Sequence, residues 1–346
     1  MTPTFTLPTD AEATAPPECH GLQRDEVRLM AVRPGGRTSA RFRDLPDLLE
    51  PGDLVVVNTS ATFPGRLDAV RADDVTVPLH VSQVLDDGDW VVEVRRPGNT
   101  GPDLGVEPRT VLALPDGVRA TLLSGHPDPS RPSRLWRARL APAVTTAYLQ
   151  RHGRPIQYGY LRGEFPLTVF QTVYATEPAS GETGSAEMAS AGRPFTDRLL
   201  VRLMARGVPV APLTLHTGVS SPEQHEPPYP ERFAVPEVTA RLVNSTRRGG
   251  RRVVAVGTTV TRALETATDD DGVTCAATGW TDLVLGPDHP ARAVTGLITG
   301  LHEPGVSHLQ LLEAVAGPDL VASAYAAAVE ERYLWHEFGD SMLFLP

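Results

Sequence analysis

The sequence predicts an α/β protein, with a barrel-like α/β main domain and a small all-β barrel inserted near its N-terminus. Three observations lead there. After residue 195, short apolar runs of β-branched residues alternate with helical patterns, which is how parallel strands covered by helices read. Between Arg66 and Pro142 the runs recur at roughly 8–12-residue spacing, separated by Asp, Gly and Pro turns, as in a small sandwich or barrel. Ahead of both, 53–57 (DLVVV) follows the turn Pro51-Gly52 and reads as a buried strand. The expected division is therefore 1–65 with 150–346 as an α/β catalytic domain, and 66–149 as an inserted β-barrel domain.

Taken in order, the insert's strands are expected at 75–81, 90–94, 110–114, 118–123 and 134–140. Residues 176–192 are rich in Ser, Gly, Glu and Ala without periodicity, so a long functional or disordered loop is expected. Thr196 is placed to cap a helix carrying Leu199, Leu200, Leu203 and Met204, which Gly207 ends. A strand follows at 210–216, then a helix at 237–248 with Arg247 and Arg248 in its last turn and Gly249 closing it. Strand 253–256 leads through Gly257-Thr258-Thr259 into a helix reaching about Thr266. Short strands at 283–285 and 294–298, then helices at 307–315 and 319–335, complete the reading. The arginine-rich 247–252 reads as a solvated loop capping a helix rather than a nucleic-acid contact.

The 346 residues are 41% hydrophobic and 21% charged, with a net charge of -10, an ordinary globular balance that excludes collagen-like and disordered classes. No apolar run reaches the ~18 residues of a membrane span. Met1 to Pro17 lacks the basic and apolar regions of a secretory signal. With only Cys19 and Cys275, neither a disulfide framework nor a four-cysteine zinc site can form, and a cytoplasmic protein is expected. The histidines are scattered without metal-ligand spacing, so no metal is expected. Lysine is absent, and isoleucine occurs only at Ile156 and Ile298. High-GC coding accounts for both, yet the chemistry follows: Schiff-base, pyridoxal-phosphate and P-loop mechanisms are excluded. The acidic balance argues against broad coating of nucleic acid.

Polar clusters fall at expected carboxyl ends of strands, where α/β folds place their chemistry. His216 ends one strand. Gly257-Thr258-Thr259 ends another and opens a helix, so its amides and hydroxyls suit an anion or carboxylate. Thr299-Gly-Leu-His302 follows Ile298, and Gly339-Asp340 precedes the final apolar run 342–345. Four such clusters at four strand ends point to a site.

In order and spacing these residues resemble the S-adenosylmethionine:tRNA ribosyltransferase-isomerase family of queuosine biosynthesis. The resemblance runs from about Phe5 to Leu345. It rests on Arg24-Asp25, the stretch from Phe42 through Pro51-Gly-Asp-Leu-Val-Val-Val-Asn58-Thr59, and Pro64-x-Arg66-Leu67. It continues with Gln171-Thr-Val-Tyr174-Ala, Gly184-Ser185, Ser190-Ala-Gly192 with Phe195-Thr196, and Thr214-Leu-His216-x-Gly218. The last part carries Ala255-Val-Gly257-Thr258-Thr259 with Arg262 and Glu265, then Leu297-Ile-Thr299, His302-x-Pro304 and Gly339-Asp340-x-Met342-Leu343.

The resemblance implies transfer of the ribosyl part of S-adenosylmethionine, used as co-substrate, to the aminomethyl group of a 7-deazaguanine in a tRNA anticodon loop. The ribose becomes an epoxycyclopentanediol, and adenine and methionine leave. Such chemistry needs a base at the C5′ protons acidified by the sulfonium, and a proton donor for adenine. His216 and His302 are the acid/base candidates. Asp340 or Glu265 is expected to face the sulfonium, Tyr174 to stack, and Thr258-Thr259 to take the methionine carboxylate. Asn58, Arg66, Gln171, Ser190, Gly192, Phe195, Thr196, Thr214, Glu231, Gly257, Arg262 and Thr299 complete the expected substrate-binding set.

Departures from the family pattern mark a divergent paralogue. The family's T-A-G-L-H-F-T is Ser190-Ala-Gly-Arg-Pro-Phe-Thr196 here, with Pro194 in place of histidine. G-x-G-T-F becomes Gly218-Val-Ser-Ser-Pro222, and H-x-M-H-x-E becomes Glu226-Pro-Pro-Tyr-Pro-Glu231, which keeps only the glutamate. T-N-F-H-L-P-K-S-T becomes Thr299-Gly-Leu-His-Glu-Pro-Gly-Val-Ser307, with Gly305 where the family has lysine. Three readings follow: the family activity on tRNA, S-adenosylmethionine chemistry on a small-molecule acceptor in specialised metabolism, and a non-catalytic nucleoside- or RNA-binding relative.

Overall fold

A computed structural model describes residues 7–8, 10–131, 133–178, 183–219, 228–303 and 307–346. Positions 179–182, 220–222, 226–227 and 304–306, which enter the expectations above, lie outside the described residues. The first strands are β1 (Arg28–Arg33), β2 (Gly36–Arg41), β3 (Leu54–Asn58), β4 (Arg66–Val70), β5 (Thr76–Val84), β6 (Trp90–Val94), β7 (Val111–Ala113), β8 (Arg119–Gly125) and β9 (Leu135–Ala141). They continue with β10 (Val210–Leu215), β11 (Glu231–Val235), β12 (Val253–Val256), β13 (Ala277–Thr281), β14 (Gly296–Gly300) and β15 (Ser341–Phe344). The helices are α1 (Leu45–Leu48), α2 (Thr146–His152), α3 (Asp197–Ala205), α4 (Glu237–Arg248), α5 (Thr258–Thr266), α6 (Ser307–Ala316) and α7 (Pro318–Glu330).

Nine strands form one mixed sheet in the order β13-β11-β10-β3-β12-β14-β15-β1-β2. Its centre is parallel: β3 pairs in parallel with both β10 and β12, and β12 with β14. Side chains alternate between two cores, as a doubly covered sheet requires. Leu54 and Val56 of β3, with Val253 and Ala255 of β12, pack against α4 to α7. Val55 and Val57, with Val254 and Val256, pack on the opposite face with Leu45 of α1 and Leu199 and Leu203 of α3. This two-sided burial explains why the central strands read as unbroken apolar runs.

The α/β class of the expectation stands, but the main domain is an open sheet rather than a barrel. Closure is forestalled because both ends leave the parallel βα repeat. The β1–β2 hairpin edges one side, and antiparallel β11 and β13 edge the other. Between β3 and β10 in the chain, β4 to β9 close a separate barrel around Leu67, Leu79, Val92, Leu112, Leu122 and Leu135.

Local signals fixed several boundaries. Thr196 accepts from the Leu199 amide at 3.2 Å and caps α3. Helix α4 ends at Arg248, before Gly249, as its last-turn arginines indicated. The loop that follows is solvent-exposed as expected, and its arginines are also paired: Arg251 with Glu50 at 2.7 Å and Arg252 with Asp53 at 2.7 Å. Residues 283–285 form no strand. They line a cavity instead, and the Leu283 carbonyl accepts from Arg262 Nε at 3.1 Å, so the run is held by a side chain and not by a ladder.

Candidate active site

The carboxyl ends of β10, β12 and β14 open onto one cavity of about 450 Å³, within the size range of small-molecule sites. From the β12 end come Gly257, Thr258 and Thr259, and from the β14 end Thr299 to Glu303. Segments 156–160 and 186–191, with His336 and Glu337 near the C-terminus, supply the facing walls. The first turn of α5 has no side-chain cap, so its leading amides are donors available to a ligand. Gly257 sits at φ 90° with its α-carbon against Ala191, where an added Cβ would stand 3.3 Å from the Ala191 methyl. A positive φ and that close approach both favour glycine.

One wall is ionic. Arg262, on the buried face of α5, pairs with Glu231 of β11 and donates to the carbonyls of Leu283, Tyr229 and Thr281. Glu231 also accepts the Gly218 amide at 3.0 Å. Burial raises the Glu231 carboxyl pKa, and Arg262 opposes that rise.

The second wall is imidazole. His302 stacks on His308 with ring centroids 4.5 Å apart, and its Nε2 lies 3.1 Å from Thr299 Oγ1. Burial first, then the neighbouring His308 and His336, holds His302 well below the ordinary histidine value. Burial and Arg262 bring His308 down to about 4. Both rings are therefore neutral near pH 7.

The third wall is aromatic and acidic. Tyr158 donates to Glu187, Tyr160 donates to Glu337, and the two rings stack at 6.2 Å. Tyr160 also lies flat on His336, at 4.1 Å and 10°.

Of the sequence-predicted residues, Ser190, Glu231, Gly257, Thr258, Thr259, Arg262, Thr299 and His302 line this cavity. His216 is buried one residue behind the lining Thr217. Its Nδ1 lies 2.7 Å from Ser60 Oγ, which accepts from Ser185 Oγ at 2.7 Å, and Ser185 Oγ in turn accepts the Thr217 amide at 3.1 Å.

The others serve the frame. Asn58 bonds both the carbonyl and the amide of Leu215. Gln171 straps the backbone of Thr62, itself a lining residue, with bonds of 3.0 and 2.7 Å. Arg66 opens β4, its backbone paired to Arg154 at 2.8 Å. Tyr174 packs edge-on against Phe195 at 5.7 Å and lies so close to Gly192 that a Cβ there would overlap its hydroxyl. Thr196 caps α3, and Thr214 pairs with Ala234 across β10 and β11.

The two acids expected at the sulfonium are placed elsewhere. Asp340 accepts from the Arg28 amide and side chain at 2.7 and 3.0 Å and from the Leu334 amide at 2.8 Å. Glu265 accepts three backbone amides, from Arg292, Ala293 and Val294. Sequence reading passed over Tyr158, Tyr160, Glu187, His308, His336 and Glu337. The alternation Tyr158-Gly-Tyr160 was the one available signal, since residues two apart share a face in extended chain.

A sheet whose strand ends converge on a cavity of neutral imidazoles, carboxylates and a helix N-terminus is the arrangement of an α/β enzyme. The sequence profile described as "Queuosine biosynthesis protein" matches residues 2–344. The S-adenosylmethionine:tRNA ribosyltransferase-isomerase of Symbiobacterium thermophilum is 35% identical, over 99% of this chain and 98% of its own. The enzyme of the same name from Thermus thermophilus is 34% identical over 93% of each chain. The crystal structure of the S-adenosylmethionine tRNA ribosyltransferase of Thermotoga maritima superposes with a TM-score of 0.53 at 30% identity, covering 99% of both chains. The chain belongs to this S-adenosylmethionine:tRNA ribosyltransferase-isomerase family of queuosine biosynthesis.

Proposed function

We propose that this chain transfers and isomerises the ribosyl moiety of S-adenosylmethionine onto a 7-deazaguanine base of tRNA, releasing adenine and methionine. The observation that supports this most is the meeting of the 257–259, 299–302 and Glu231–Arg262 clusters around one cavity. On this reading 1–65 with 150–346 carries the chemistry, 66–149 is an accessory barrel, and the enzyme works in the cytoplasm. Among the described residues no helix is long and apolar enough to cross a membrane.

The α5 N-terminus, with the Thr258 and Thr259 hydroxyls, receives the methionine carboxylate, where the helix dipole favours an anion. His302, neutral and facing the cavity, accepts the C5′ proton acidified by the sulfonium. The Glu231–Arg262 pair fixes the wall beside it. His216 acts as a positioning residue, holding the end of β10 through Ser60, Ser185 and the Thr217 amide.

The test incubates purified protein with S-adenosylmethionine and tRNA carrying the aminomethyl-deazaguanine, following adenine by chromatography and the tRNA base by mass. Adenine release with a matching gain of mass on the base is expected. Adenine accumulating beside unchanged tRNA refutes the tRNA acceptor, and no adenine refutes turnover. His302→Gln is expected to lower the rate by about 10²–10⁴-fold with S-adenosylmethionine still bound. Full turnover in that variant removes His302 from the chemistry.

A further inference from the structure

A sulfonium needs an opposing charge or an aromatic face, and Asp340 and Glu265 are both taken up by backbone amides. Glu337 is placed differently. It lines the cavity, its carboxylate accepts from Tyr160 Oη, and it pairs with no arginine among the described residues. Burial and the charge of Glu337 hold the Tyr160 phenol well above its ordinary value. The phenol therefore keeps its proton and donates, which fixes the carboxylate in place.

The Tyr160 ring forms the middle of a stack, with His336 on one face at 4.1 Å and Tyr158 beyond at 6.2 Å. The attraction to a cation at this point comes from the carboxylate itself, since an aromatic ring draws cations to its face and not to its positive edge.

The other titratable groups around Glu337 are engaged, Glu187 by the Tyr158 hydroxyl. His336 Nε2 lies 3.3 Å from Glu12 and 3.9 Å from Glu303. Arg193 is held by Glu18 at 3.0 Å and lies over the Phe338 ring. His302 is neutral, and Arg262 is paired with Glu231.

We propose that Glu337 and Tyr160 form the subsite for the sulfonium of S-adenosylmethionine, Glu337 as its counter-charge and Tyr160 as the residue that orients the carboxylate. The assignment rests on the use of S-adenosylmethionine proposed above. It makes the cavity select the charged sulfonium over the neutral thioether of the same shape, S-adenosylhomocysteine.

Calorimetric titration of the full chain with each nucleoside tests this. Glu337→Gln keeps the shape and removes the charge. It is expected to cut the preference for S-adenosylmethionine by about tenfold or more while S-adenosylhomocysteine affinity stays the same. An unchanged preference overturns the subsite.

The wild-type protein gives an independent reading that does not depend on the variant folding. Burial raises the Glu337 carboxyl pKa, and only the ionised form attracts the cation. S-adenosylmethionine affinity is therefore expected to fall, as pH is lowered, above the usual glutamate range, while S-adenosylhomocysteine affinity stays flat. Parallel pH responses overturn the proposal. A wild-type chain that binds neither nucleoside overturns the underlying activity together with the subsite, whereas normal binding with an indifferent Glu337→Gln overturns the subsite alone.

Discussion

Replacing Glu265 with glutamine separates a structural acid from a substrate-facing one. Glu265 Oε1 accepts the amides of Ala293 and Val294 at 3.0 and 2.9 Å, and Oε2 accepts that of Arg292 at 2.8 Å. These bonds tie α5 to the chain entering β14. In Glu265→Gln the amide oxygen can keep two of the three, now without charge assistance. The side-chain NH2 then faces the Arg292 N–H, donor against donor. Weakening two bonds by about 1 kcal/mol each and leaving a third donor unmet at about 1–3 kcal/mol gives a loss of about 3–5 kcal/mol. Urea unfolding followed by tryptophan fluorescence reads this directly, since Trp335 is fully buried. The midpoint is expected to fall at unchanged slope, with S-adenosylmethionine affinity retained below the transition. Native stability combined with weakened nucleoside binding would refute the reasoning and return Glu265 to the cavity.

Two further substitutions probe the site's frame. Arg262→Met leaves Glu231 buried without its cation and is expected to cost about 3–5 kcal/mol. Adding Glu231→Gln recovers part of that loss, and a double-mutant cycle by thermal unfolding shows no recovery if the pair is uncoupled. Gly257→Ala forces a side chain into φ 90° and sets its Cβ 3.3 Å from Ala191. A loss of about 1–3 kcal/mol with weaker S-adenosylmethionine binding is expected, and a wild-type melting curve contradicts the close approach.

The legible parts of the fold were those written in local chemistry. The Thr196 cap, the arginine-rich end of α4 and the apolar runs of β3 and β12 each carry their signal within a few residues. Strands β2, β11 and β13 escaped because their largely exposed or half-buried residues carry no long apolar run, whereas the short run Leu29–Val32 of β1 was present and was passed over. The 283–285 run misled for a related reason: an apolar cavity wall and a buried strand have the same composition.

In the site, sequence position found the groups at strand ends, such as Thr258 and His302. It mistook Glu265 and Asp340, because an acid that satisfies backbone amides looks no different in sequence from one facing solvent or substrate. Tyr160 and Glu337 are 177 residues apart, and nothing short of the folded chain brings them together.

The place of β15 bears on how the protein is made. This last strand lies between β14 and β1, parallel to β1 and antiparallel to β14. The β1–β2 hairpin is synthesised well ahead of β15, and its inner edge has no partner until that strand emerges. At about 5–20 residues per second, roughly 300 residues of synthesis leave that edge open for about 15–60 s. The barrel of β4 to β9 needs no such wait, since all its strands lie within 66–141. Nascent chains stalled before Ser341 are therefore expected to hold a closed barrel beside an unfinished sheet.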